Sequence, residues 1–242
     1  MRATGKKGLR VVEAGSAVVA LMRDPDDTKQ VFRLLDAMTS GTPAAFREKF
    51  ALSRGGARLL ERRPKVLDVL QDRAALAALP AGSVGRAYLA FMQRDDLSAD
   101  FLVRASAQTP IGARPDDVGN YIEMRLRDTH DLWHVVTGYG GDLLGEAALL
   151  AFTFMQTYSP GIGVLAAIGV YKADDPDSRR LILDAFARGA RSAWLPAVEW
   201  EALLAEDLTT VRQQLRLYDP PCYEPFYAKD LPPGGLFGDR AA

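Results

Sequence analysis

The stretch RDTHDLWHVVTGYGGDLLGEAALL, residues 127–150, holds both histidines of the chain, His130 and His134, four residues apart. Its apolar residues recur at helical rather than alternating spacing, so it reads as two helices joined by the turn GYGGD. Residues i and i+4 share one face of a helix, which turns both imidazoles the same way with room to share one ion. The zinc-binding HExxH helix uses the same spacing, but here Asp131 stands where that motif has its glutamate, so a standard metalloprotease helix is not reproduced. Gly138, Gly140 and Gly141 can end the first helix, and Asp142 can cap the second. So short a turn predicts antiparallel packing, which carries Glu146 across to the histidine pair. Two imidazoles and Glu146, with Asp131 as a fourth ligand or as a partner of a ligand, make a divalent-metal site with mixed nitrogen and oxygen donors. The spacing by itself also fits an exposed or core histidine pair.

Helical periodicity extends outward over almost the whole chain, while alternating patterns bounded by turns are scarce. About ten helices are expected, at 9–22, 26–38, 43–52, 55–60, 64–79, 83–93 and 98–107, then the histidine helix after the loop TPIGARPDD (109–117), and 142–157, 177–193 and 196–217. From Asp219 onward prolines crowd a segment with little periodicity, which predicts an extended, partly disordered tail. No internal repeat stands out. The expectation is an all-α fold, one multi-helix domain over 1–242, with the metal site in a helical hairpin. Gly161, Ile162 and Gly163 imitate the start of a dinucleotide fingerprint, but no strand precedes them.

With 242 residues, nearly half of them hydrophobic, the chain is long enough to bury a sizeable core. Its 30 basic and 31 acidic residues are interspersed and leave a net charge of −1, which gives no reason to expect nucleic acid as a partner. One cysteine, Cys222, excludes an internal disulfide and fits a reducing compartment. No run of 18 apolar residues spans a bilayer. The start MRATGKKGLR has no apolar signal core and is too short for a transit peptide, so a cytosolic bacterial protein or a mature organellar one is expected.

The residues resemble a known family. His130-Asp131-x-x-His134, followed after eleven residues by Glu146, is similar to the HDxxH-x11-E signature of the ubiquinone-biosynthesis family known as Coq-four. LPAGSVGRAYLAFM (79–92) resembles its LP-x4-G-x2-Y-x2-FM segment, RLRDTHDLWHVVTG (125–138) its histidine helix, and EWEALLAEDLTTVRQQLRLYDPP (199–221) its C-terminal WE…DL…R…L segment. These pieces cover about the C-terminal two-thirds of the chain in the family's order; the N-terminal third matches more loosely. The resemblance implies an all-helical fold and a divalent metal usually described as zinc. It also implies a polyprenylated aromatic substrate in an apolar cavity, peripheral association with a membrane surface, other quinone-biosynthesis proteins as partners, and a homodimer. The location implied is the cytoplasmic side of the inner membrane in a bacterium, or the matrix side of the mitochondrial inner membrane.

The chemistry implied is at C1 of a prenylated 4-hydroxybenzoate ring, where a carboxylate leaves and a hydroxyl is installed. On that reading His130, His134 and Glu146 are ligands, and Asp131 is a ligand or the acid/base group. Arg127 would meet the substrate carboxylate, and Phe152 and Met155 the isoprenoid tail. Arg127 fits equally well as a surface residue or an ion-pair partner of Asp128. For Phe152 and Met155 an ordinary helical core is the commoner setting. Zinc is d¹⁰ and exchanges no electrons, so iron, manganese or cobalt at the same donors would ease an oxidative step. The competing reading is a non-catalytic lipid-binding scaffold that organises a quinone-biosynthesis complex at the membrane.

Overall fold

The computed structural model describes residues 42–94 and 118–227, together with Ser16, Ala17, Ala20 and Arg33, which are helical. The expected helices at 9–22, 26–38 and 98–107 otherwise lie outside the described residues. Within them the chain forms α1 (Ala44–Leu52), α2 (Arg54–Arg62), α3 (Val66–Leu70), α4 (Arg73–Ala78), α5 (Val84–Arg94) and α6 (Val118–Asp128). There follow α7 (His130–Thr137), α8 (Leu143–Thr157), α9 (Pro160–Lys172), α10 (Pro176–Arg191), a 3₁₀ helix (Leu195–Ala197), α11 (Trp200–Leu203) and α12 (Leu208–Gln214). No strand occurs among the described residues; Ser83 and Asp207 form an isolated bridge. The fold is all-α, as expected.

Several expected helices are cut shorter by local polar side chains. The span 64–79 is two helices, because Asp72 accepts the Ala75 N–H and starts α4 afresh. The span 196–217 is likewise broken, with Pro196 in the 3₁₀ helix and Asp207 accepting the Thr210 N–H to start α12. A carboxylate offering the backbone a local hydrogen bond competes with continuation of the helix. The opposite error concerns α9, which was not among the expected helices. Pro160 opens it at a position where a missing N–H costs nothing.

Helix α8 is the centre of the main core. Ala148, Leu149, Ala151 and Phe152 are buried on it, against α9 and α10. Tyr88, Leu89 and Met92 of α5, Leu132, Trp133 and Val136 of α7, and Trp200 of α11 complete the cluster. A smaller cluster joins Phe50, Leu59, Ile122 and Ala197, with Trp194 lying edge-on to Phe50. Each such side chain contributes roughly 1.5–3 kcal/mol through burial. Two buried polar groups bolt the layers. Gln156 donates to the Gly189 carbonyl and Ser192 Oγ and accepts from the Leu195 N–H. Arg125 makes paired 2.8 Å bonds to Glu201 and a 3.0 Å bond to the Val198 carbonyl. It therefore ties α6 to α11 from inside.

The start of the expected tail is extended and docked. Residues 219–227 carry no helix, and Pro220 lies against Gly138. The Leu143 N–H donates to the Phe226 carbonyl at 2.8 Å, so this strap crosses the hairpin turn. No helix among the described residues is long and apolar enough to cross a membrane.

Phe152 is fully buried, with its ring edge-on to Trp133 at 6.3 Å. Phe152→Ala is expected to cost about 3–5 kcal/mol of stability in denaturant titration, the usual loss for emptying a core aromatic site.

Candidate metal centre

The chain does not run straight into the histidines. Thr129 leaves helical geometry (φ −98°, ψ 1°), and its hydroxyl donates to the Arg125 carbonyl, so α7 begins at His130. At its other end the backbone reverses at Gly138, whose φ of 82° suits glycine and whose N–H donates to the His134 carbonyl. The remaining carbonyls of that end are met by distant guanidiniums. Arg212 donates to Val135 and Val136, and Arg188 donates to Thr137 at 2.6 Å. Cations suit the negative end of a helix dipole, so these arginines fix α7 against its neighbours. Asp142 caps α8 by accepting from the Leu144 and Gly145 N–H groups.

The result brings Glu146 between the two imidazoles. Its Oε1 lies 3.1 Å from His134 Nε2, and its Oε2 lies 3.7 Å from His130 Nε2. The rings meet edge to face with centroids 4.7 Å apart, and Phe91 of α5 stacks on His134 at 5.2 Å. On the far side of each ring stands an orienting acceptor. His130 Nδ1 is 3.2 Å from Asp131 Oδ1, and His134 Nδ1 is 3.0 Å from the Tyr139 carbonyl. A ligating imidazole is commonly held by its other nitrogen in this way.

A carbonyl only accepts, so His134 Nδ1 carries the proton and Nε2 carries a lone pair in the neutral ring. That lone pair faces a carboxylate oxygen, without the alignment of a hydrogen bond. His134 Nε2 is indeed one of three buried side-chain polar atoms among the described residues with no hydrogen-bond partner. Such a pair needs a cation or a proton between its members. Bonds of about 2.1 Å to a tetrahedral ion set its ligands roughly 3.4 Å apart, and Glu146 Oε1 at 3.1 Å from His134 Nε2 lies close to that edge. Ligand atoms of His130, His134 and Glu146 all lie within 4.8 Å of one another. The donor set fits a divalent ion held by two nitrogens and one carboxylate, with Glu146 on the open side.

The electrostatics agree. Burial disfavours the Glu146 carboxylate, but with the imidazoles protonated and no ion between them, His134 and then His130 outweigh it and bring its pKa down to about 2. Burial would also lower the His130 pKa, yet the bond to Asp131 and the charges of Glu146 and Asp131 raise it to about 8. Once the imidazoles are neutral and free to ligate, the Glu146 and Asp131 carboxylates leave negative charge that a cation would neutralise.

The expected site residues divide. His130, His134 and Glu146 come together, while Asp131 stands behind His130 as its partner. Arg127 is paired with Asp128 at 2.7 Å. Phe152 is fully buried in the core, and Met155 is half-buried. At about 100° per residue they lie roughly 240° and 180° around the helix from Glu146, whereas Leu150 and Thr153 share its face. Phe91, Arg188, Arg212 and the Tyr139 carbonyl were not read from the sequence as parts of the site. Phe91 lies in the LPAGSVGRAYLAFM segment that carried part of the resemblance; the arginines have no local signal.

An all-helical fold whose hairpin presents two imidazoles and a carboxylate to one point defines a class of helical proteins with a candidate divalent-metal centre. Residues 7–221 match the family described as Coenzyme Q (ubiquinone) biosynthesis protein Coq4, and the chain belongs to that family. It is 30% identical over 194 residues to the mitochondrial ubiquinone biosynthesis protein coq4 of Aspergillus terreus, covering 79% of this chain and 61% of that protein. It is 31% identical over 198 residues to the mitochondrial COQ4 of Uncinocarpus reesii, covering 79% and 63%. The chain thus spans about three-fifths of the length of these relatives. A crystal structure from Nostoc punctiforme PCC 73102, provisionally named a ubiquinone biosynthesis protein, shares the fold. The TM-score is 0.62 at 22% identity, over 88% of this chain and all of that one.

The geometry makes one zinc or cobalt ion per chain the expected stoichiometry, abolished by His134→Ala. Glu146 is already ionised at neutral pH, whereas His130 must give up a proton to bind, so affinity rises with pH and levels off above about 8. Just below that value it should fall by about tenfold per pH unit for the proton displaced from His130. Isothermal titration of the metal-free chain across pH checks slope and plateau.

Proposed function

We propose that this chain acts in ubiquinone biosynthesis as a metal-dependent enzyme working at C1 of a polyprenylated, 4-hydroxybenzoate-derived ring. The observation that carries the reading is the buried, unpartnered Nε2 of His134 facing the half-exposed carboxylate of Glu146. A closed structural zinc site is usually rich in thiolates, whereas the donors here are nitrogen and oxygen and one side is open. Membership of the Coq4 family supplies the pathway.

In the proposed reaction the bond from C1 to its carboxylate breaks and carbon dioxide leaves. A C1–oxygen bond forms, and two electrons pass from the ring to an oxidant such as dioxygen. A divalent ion, zinc or a redox-active iron, manganese or cobalt, would bind the ring's acidic edge and polarise it. His130, His134 and Glu146 would hold the ion. Asp131 keeps the His130 ring in one orientation and is placed to take or return a proton at Nδ1. Phe91 covers the His134 face against water. For the isoprenoid tail, α9 offers an apolar surface in which Ala167 and Tyr171 face outward beside half-buried Ile168 and Val170. That surface also suits a peripheral position on a membrane, and the fungal relatives are named as mitochondrial proteins.

Cells whose only copy carries His134→Ala should accumulate a prenylated precursor that retains its C1 carboxylate, at unchanged protein level, in a mass-spectrometric profile of quinone intermediates. Normal quinone production by that variant would overturn the catalytic reading and favour the scaffold.

A further inference from the structure

The turn between α7 and α8 holds more than a cap. The peptide joining Tyr139 to Gly140 is bonded at both of its polar atoms. Its carbonyl accepts from His134 Nδ1 at 3.0 Å, and its N–H donates to the Tyr223 hydroxyl at 2.7 Å. That hydroxyl in turn donates to Asp142 Oδ2 at 2.8 Å. The buried Asp142 carboxylate is anchored at its other oxygen by the N–H groups of Leu144, Gly145 and Phe226. Every donor from His134 to Asp142 points the same way. Hydrogen bonds aligned head to tail polarise one another, and a peptide whose N–H is engaged by a good acceptor presents a more negative carbonyl oxygen.

The packing leaves room for this chain at two positions. A Cβ on Gly145 would lie 2.2 Å from the Gly140 carbonyl oxygen and 2.5 Å from the Tyr223 hydroxyl, and one on Gly140 would lie 2.6 Å from Asp142 Oδ2. The phenol is contributed by the C-terminal strap. Burial pushes Tyr223 well above the usual phenol range, so it stays protonated and can donate.

We propose that Tyr223 is a positioning residue of the metal centre, completing a one-directional hydrogen-bond chain from Asp142 through the 139–140 peptide to His134 Nδ1. The chain does for His134 what Asp131 does for His130 directly. It fixes the tautomer that leaves Nε2 free to ligate, and it passes part of a carboxylate's charge to the ring. The proposal rests on the metal reading of His130, His134 and Glu146, and it adds that docking of the strap is sensed at the ion.

Two substitutions test it. Tyr223→Phe deletes the hydroxyl and keeps the ring. Asp142→Asn keeps an oxygen for the helix cap but takes away the charge at the end of the chain. Because the protein has only 2 histidines, its imidazole nitrogen NMR spectrum holds just their ring nitrogens. In the metal-free chain His134 should show a single Nδ1–H tautomer, which Tyr223→Phe converts to a mixture with faster exchange of the Gly140 amide. Zinc affinity, measured by competition with a chelator, should fall at least about tenfold in both variants, the usual effect of losing a group that orients a ligand. Circular dichroism should keep the wild-type helix content, and Tyr223→Phe alone decides the matter where Asp142→Asn loses its cap. Folded variants with the wild-type tautomer and zinc affinity within twofold of wild type would overturn the proposal while leaving the metal reading intact. A wild-type chain without zinc affinity would overturn the metal reading instead, and the tautomer in the metal-free spectra then decides the hydrogen-bond chain on its own.

Discussion

A lone pair on a buried imidazole nitrogen and a carboxylate oxygen stand 3.1 Å apart in this protein without a hydrogen bond between them. Two acceptors at that distance repel, and the surrounding architecture is what holds them there. The Tyr139 carbonyl decides which nitrogen of His134 carries the proton, Phe91 blocks one face of the ring, and the capped start of α8 sets the height of Glu146. Stability given up at this point is recovered in the helices around it, where Phe152, Leu149, Tyr88 and Trp200 are buried. A cation supplied to the gap would turn the repulsion into a bond and stabilise the fold that prepared it.

The two histidines are held by different means. His130 is part-exposed and relies on its sequence neighbour Asp131. His134 is buried, and nearby backbone and distant side chains orient it and the helix end that bears it. This division matches the open and closed sides of the cluster. His130 and Glu146 lie on the open side, and the buried His134 would anchor an ion to the core.

Much of this was legible because it depends on short-range periodicity. The i, i+4 spacing placed both imidazoles on one face, and the glycines of GYGGD with Asp142 marked a hairpin short enough to deliver Glu146. The breaks at Asp72 and Asp207 were missed where apolar periodicity was allowed to run through a capping residue. For Phe152 the structure shows the helical-core setting that the sequence also allowed, with its ring edge-on to Trp133. Arg125 could not be paired from sequence, because Glu201 lies 76 residues away and only folding brings them together. The same holds for Arg188, Arg212 and Tyr223, whose partners around residues 135–142 share no local pattern with them.

Those last three residues give the site an order in time. A chain made from its N-terminus presents His130, His134 and Glu146 to solution before Arg188, Arg212 and the strap exist. Until then the last turn of α7 has its carbonyls in water and its hairpin unfastened. Domains generally fold as units as synthesis proceeds, and here the parts that fasten the ligands arrive last. The three candidate ligands are therefore made before the residues that fasten them, and the remainder of the chain closes over the site like the final stitch of a seam.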